Sequence, residues 1–213
     1  LPCQYCHNPD TMEMKVGTLE RIDDVVKRIK RYKPVFNASG GGLTLSGGEA
    51  LFQIAFTRRL LKEVHDAGIH TTIDTSGYLG SRVRDEDMDN IDLVLLDVKA
   101  GDEETYKEVT RRELQPTIDF GDRLNEIGKP VWIRFVVVPG LTDAPENVAN
   151  VVKIVSRWKS NVERVEVLPF HNMGADKWRE LGYPYTLEDT KPPKPEDVES
   201  IRDAFREEGF VVY

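Results

Sequence analysis

The sequence predicts one α/β domain over residues 1–213, built on a parallel sheet. Three observations carry this reading. Short runs of Val, Ile, Leu and Thr alternate with longer stretches whose apolar residues recur at helical spacing. Gly or Pro marks most junctions, and the links are short. With 39% hydrophobic and 31% charged residues, the chain can fill one core beneath charged helix surfaces. Such alternation gives parallel strands joined by right-handed crossovers. A doubly wound sheet and an incomplete β/α barrel both satisfy it, and in both the ligands bind where the strands end.

The elements follow in order. A polar loop, Asn8 to Gly17, precedes a helix over Leu19 to Lys33, capped by Thr18 and ended by Pro34. Asn37 to Gly42 reads as a flexible turn, and Leu43 to Leu45 as a short strand running into Ser46-Gly47-Gly48-Glu49. A helix over Ile54 to Ala67 is closed by Gly68. His70 to Asp74 is a strand ending in Thr75-Ser76-Gly77, and Asp85 to Asn90 a short polar helix or turn. Asp92 to Leu96 is a strand leading to Asp97-Val98-Lys99. Helices over Glu103 to Thr110 and Thr117 to Ile127 follow, the second stopped by Gly128. Val131 to Val138 is a strand, Pro145 to Lys159 a helix, and Val162 to Leu168 a strand leading to Pro169-Phe170-His171. A loop rich in Pro, Tyr and Lys reaches Lys194, Pro195 opens a last helix to Glu208, and Phe210 to Tyr213 is a candidate final strand. No low-complexity linker divides the chain.

A net charge of −8 argues against a nucleic-acid partner. No apolar run approaches the roughly 20 residues that span a bilayer, and two cysteines make no disulfide scaffold, so the expectation is a reduced, cytoplasmic protein. Both cysteines lie in Cys3-Gln4-Tyr5-Cys6, a spacing that suits one metal, a cluster or a redox pair. The histidines His7, His65, His70 and His171 offer no second close pair for a zinc site. The motif reads as cut in half, with a third cysteine expected upstream.

The remaining chemistry sits at the strand ends. Gly47 and Gly48 permit close backbone approach, and Glu49 either takes an ammonium group or favours a helix start. Asp74 and Asp97 suit a cation or ribose hydroxyls, or caps and ion pairs; Lys99 suits a carboxylate, or solvent. Arg134 lies within an apolar strand on the face of Trp132 and Val136, so it must be paired or face a site. His171 follows an apolar strand and either touches a ligand or is a satisfied loop residue; His65 and His70 read as structural.

Across nearly its whole length the chain resembles the radical S-adenosylmethionine (SAM) superfamily, and its glycyl-radical activases in particular. The matching stretches are Cys3 to Asn8, Asn37 to Gly42, Ser46 to Ala50, Asp74-Thr75, Leu95 to Lys99, Val131 to Gly140, Leu168 to His171, Lys177-Trp178 and Lys191 to Pro193. The resemblance implies a partial (β/α)6 TIM-like barrel, with one strand before the cysteines missing from this chain. It makes Cys3 and Cys6 the second and third ligands of a [4Fe–4S] cluster, the first being a cysteine four residues before Cys3. SAM would chelate the open iron. Tyr5, Cys6 and His7 would lie near the adenine, and Gly47, Gly48 and Glu49 at the methionine amino group. Asp97, Val98 and Lys99 would run along the methionine and ribose, with His171 near the ribose and Arg134 facing the ligand or the incoming peptide. Asp74, Thr75 and Asp97 are candidate ligands of a monovalent cation. Where the family often carries Asn, this chain has Ser76.

The implied reaction is reductive cleavage of SAM to a 5′-deoxyadenosyl radical, which abstracts a glycine Cα hydrogen from a partner enzyme. The implied partners are that enzyme's glycine loop and a flavodoxin or ferredoxin-type electron donor, with the chain itself a monomer. Two readings compete with it: a radical SAM enzyme acting on another substrate, and a non-catalytic Cys-x-x-Cys metal-binding module.

Overall fold

A computed structural model describes residues 1–13 and 17–213, so the part of the expected loop at 14–16 lies outside the described residues. Five strands form one parallel sheet: β1 Gly42–Leu45, β2 His70–Thr75, β3 Leu93–Asp97, β4 Val131–Val137 and β5 Val162–Pro169. Their spatial order is their chain order. A doubly wound sheet reverses direction at a switch point. Here each strand adds to the same side of the last, which is barrel winding. Among the described residues β1 and β5 do not pair, so the barrel is open.

The helices are α1 Ile22–Lys30, α2 Lys33–Ser39, α3 Ile54–His65, α4 Asp85–Met88, α5 Glu103–Thr110, α6 Gln115–Glu126, α7 Pro145–Ser156, α8 Ala175–Glu180 and α9 Pro195–Glu207. The strand period of two sorts the sheet's faces. In β4, Val131, Ile133, Phe135 and Val137 are buried, while Trp132, Arg134 and Val136 are half-buried. Ile73, Val94, Leu96, Ile133, Phe135, Val165 and Val167 join Leu61, Phe120, Val155 and Phe205 from the helices in the main core. The opposite face is mixed, with Trp132 and Val136 sharing it with charged residues. Across it Asp97 of β3, Arg134 of β4 and Glu166 of β5 stand side by side in register. Burial of one face fixes that register, because a one-residue slip would drive Arg134 into the core.

Five local expectations are corrected. Pro34 does not end a long helix. Helix α1 stops at Lys30, and Pro34 lies in the first turn of α2, where its missing N–H leaves no bond unmade. Asn37 to Ser39 are therefore helical, and the turn is delayed to Gly40, at φ +67°. Thr18 does not cap α1, which begins at Ile22, where the apolar spacing that packs on Leu60 and Val64 begins. The long loop after β5 contains α8, too short to show a full helical period in sequence. The final strand is reduced to one parallel bridge, Val165 to Val212, against the outer edge of β5.

Candidate active site at the strand ends

Four charges converge where β2 and β3 end, against the middle of β4. The guanidinium of Arg134 donates from Nε to Asp97 Oδ1 at 3.0 Å and from Nη2 to Asp74 Oδ1. Lys99 Nζ donates to Asp97 Oδ2 at 3.1 Å, and Ser46 Oγ to Asp74 Oδ2 at 2.7 Å. All four charged side chains are less than a fifth exposed, so two cations balance two carboxylates with little water between them. Burial works against the charge on Lys99, but Asp97, Tyr5 and Cys3 outweigh it and hold its pKa well above the ordinary value. Burial and the neighbouring Asp97 push the Asp74 carboxyl up, and Arg134 only partly offsets them. Burial also opposes the charge on Arg134; Asp97 and Asp74 more than restore it.

Glu49 braces β1 to β2. Its Oε1 accepts from Thr75 Oγ1 at 2.6 Å and Leu51 N at 3.1 Å, and its Oε2 from Ser76 Oγ at 2.7 Å and Ser76 N at 3.2 Å. Four donors fill the four lone-pair directions of a carboxylate. An ammonium group must displace one of them to reach it. Gly47 sits at φ +101°, a conformation glycine adopts freely. A Cβ on Gly48 would stand 3.3 Å from Thr11 Cβ, so the Gly-Gly turn packs on the chain just after the cysteines.

The cysteine loop lies over this array. Cys6 N donates to Cys3 O at 3.1 Å, closing a turn that carries both thiols, Cys3 buried and Cys6 half-buried. Lys99 Nζ stands 5.4 Å from the Tyr5 ring centre, linking the loop to Asp97. Burial pushes the Cys3 thiol up, and the charge of Lys99 pulls it back only in part. Burial likewise raises the Tyr5 phenol, whose oxygen has no hydrogen-bond partner among the described residues. The rings of His7 and His171 lie 4.0 Å apart, and burial, followed by His171, lowers the pKa of His7. His171 Nδ1 is also buried without a partner among the described residues.

The structure thus gathers Tyr5, Cys6, His7, Glu49, Asp74, Asp97, Lys99, Arg134 and His171 at one end of the sheet. It does not bring Val98's side chain there. Val98 is fully buried on the helix side, so only its backbone faces the strand ends. Thr75 is occupied with Glu49, and Asp74 and Asp97 are bridged by Arg134. Of the other histidines, His65 Nε2 lies 3.4 Å from Asp92 Oδ1, and His70 Nδ1 lies 3.4 Å from Thr72 Oγ1. Sequence reasoning assigned no role to Gly174 or Trp178, which grip the cysteine loop. The family match at Lys177-Trp178 was the one sequence signal that pointed to it.

The donor set can be tested against an iron–sulfur cluster. Two unpaired thiols on one turn, one of them desolvated, are the soft ligands such a cluster takes. They fit as two of its ligands. Among the described residues no group of three His, Cys, Asp or Glu side chains is placed to hold a metal ion.

An open barrel of parallel strands, with two free thiols above charged strand ends, is the arrangement expected of a radical SAM protein. The family model described as the radical SAM superfamily matches residues 1–152. The chain is 41% identical over 217 residues to the pyruvate formate-lyase-activating enzyme of Staphylococcus epidermidis, covering 99% of this chain and 85% of that protein. It is 41% identical over 207 residues to that of Clostridium pasteurianum, covering 97% and 86%. The chain belongs to the radical SAM superfamily and, within it, to the family of these activating enzymes.

Solved structures agree on the fold. A domain of a pyruvate-formate lyase-activating enzyme from Bacteroides vulgatus superposes with a TM-score of 0.66 at 22% identity, covering 82% of this chain and 98% of that one. Streptococcus suis SuiB bound to S-adenosylmethionine superposes with a TM-score of 0.70 at 16% identity, covering 99% and 46%.

Proposed function

We propose that this enzyme activates a pyruvate formate-lyase by generating a glycyl radical on it. The observation that carries the proposal is the buried Asp74–Arg134–Asp97–Lys99 array ending beneath the cysteine turn. It is a polar, water-poor seat that a zwitterionic ligand can share. When bound, a [4Fe–4S] cluster and SAM supply one-electron cleavage of the sulfonium and the radical that takes the glycine hydrogen.

The chain's own residues bind and orient. Cys3 and Cys6 are two cluster ligands, and the third is a cysteine four residues before Cys3 in the full-length protein. Residues 1–213 then form one radical SAM core, to which an upstream strand is added. The Gly47-Gly48 backbone meets the methionine amino group, and Glu49 fixes that turn to β2. Lys99 offers its ammonium to the methionine carboxylate while Asp97 keeps it charged. Arg134 exchanges part of its carboxylate pairing for the ligand. Asp74, Thr75 and Asp97 take a monovalent cation when Arg134 yields. Tyr5 and His7, with His171, close the adenosine end, where Tyr5 Oη and His171 Nδ1 await a polar partner. The sheet face that carries Arg134 admits the partner's glycine loop from the open side. A flavodoxin or ferredoxin-type protein delivers the electron, and the enzyme works as a cytoplasmic monomer. In keeping with this, no helix of the described residues is long and apolar enough to cross a membrane.

Full-length protein reconstituted without oxygen is expected to carry about four iron and four labile sulfide. Mixed with SAM, a reductant and pyruvate formate-lyase, it is expected to give the glycyl doublet in EPR. One zinc without sulfide would leave a metal-binding module. 5′-Deoxyadenosine formed only with a small substrate would point to another radical SAM enzyme.

A further inference from the structure

We infer that Trp178 is a positioning residue for the cysteine turn, and that residues 171–186 act as a strap holding that turn in the shape a cluster needs. The inference rests on reading Cys3 and Cys6 as cluster ligands. The indole Nε1 of Trp178 donates to the Cys6 carbonyl at 2.8 Å. The donor is locked in place: Trp178 is 8% exposed, and its ring stacks on Tyr185 at 5.2 Å and meets the edge of Tyr183 at 6.2 Å. At the start of α8, a Cβ on Gly174 would stand 3.2 Å from His7 Cα and 3.3 Å from Cys6 O. The strap's backbone therefore rests directly on the turn.

The neighbours of Cys6 are tied the same way. Lys177 Nζ donates to Asn8 Oδ1 at 2.7 Å, Thr186 Oγ1 to Gln4 Oε1 at 2.9 Å, and His7 Nε2 meets His171 O at 3.3 Å. Four residues of the turn region, Gln4, Cys6, His7 and Asn8, are thus held from a segment about 170 positions away. One backbone bond, Cys6 N to Cys3 O, closes the turn itself; the outside partners fix how it sits, and losing such a partner typically costs about 10–100-fold in metal affinity.

Trp178→Phe keeps the ring and removes the N–H donor. In the reconstituted full-length protein, iron loss to a chelator is expected to quicken by about tenfold. In the metal-free protein, the buried Cys3 thiol is expected to react several-fold faster with a disulfide reagent, because the turn opens more often. Gly174→Ala lifts the strap with the indole intact, so it is expected to quicken both rates too, and it carries the test if Trp178→Phe does not fold. A structural role for Trp178 in seating α8 alone would lower thermal stability and leave both rates unchanged. Wild-type rates in whichever of these variants folds would overturn the inference and leave the cluster reading intact. A wild-type protein that takes up no iron or sulfide would bring down both.

Discussion

Arg134→Met should expose how much the strand-end array depends on charge balance. The substitution keeps a long apolar side chain but leaves Asp74 and Asp97 facing Lys99 alone. Arg134 is 19% exposed, and its two partners are 16% and 19% exposed, so water can rescue little of the lost pairing. Removing one member of a buried ion pair costs about 3–5 kcal/mol, and the partial exposure here puts the loss near ~3 kcal/mol at pH 7. In urea this lowers the unfolding midpoint by about 1 M, at a slope near 2–3 kcal/mol/M. The pH dependence has a definite sign. Folding already raises the Asp74 carboxyl through burial and Asp97, and loss of Arg134 raises it further. A group with a raised native pKa stabilises the fold below its unfolded value and loses that contribution as pH rises through the native value. The variant's deficit should therefore shrink as pH falls from 7 toward about 5. Arg134→Met/Asp74→Asn restores one anion against one cation. It should be more stable than the additive sum by about 1–3 kcal/mol. A deficit under about 1 kcal/mol in the single variant, or strict additivity in the double, would refute the balanced array.

Two further outcomes follow from the packing. A Cβ on Gly121 of α6 would fall 2.2 Å from the Trp158 ring, whose indole also donates to Asp122, so Gly121→Ala should cost about 1–3 kcal/mol in urea unfolding. Asp92 accepts from Thr71 N at 2.7 Å and Thr71 Oγ1 at 3.1 Å. Burial opposes its charge, but those bonds outweigh it and lower its pKa, so its contribution exists above the unfolded value and fades as pH falls through the native one. Asp92→Asn should thus cost about 1–2 kcal/mol at pH 7 and progressively less as pH falls below about 4, read by denaturation across that range.

The sequence alone determined the alternation of strands and helices, because periods of 2 and 3.6 are local properties of the chain. It set Glu103–Thr110 as a helix without error, and it placed Arg134 on the face opposite the core through the alternation of β4. It also confined the chemistry to the strand ends and to one cysteine turn. Sheet order was open to the local pattern, which a doubly wound sheet and a barrel share; the family resemblance implied the barrel. Only pairing of β1 through β5 in sequence decided it. Tertiary structure likewise decided what each candidate side chain touches. Glu49 and Arg134 were legible as charges, but most of their donors and acceptors come from segments 26 to 60 positions away. Trp178 meets Cys6 across 172 positions, and no local periodicity encodes a contact that exists only once the chain has closed on itself.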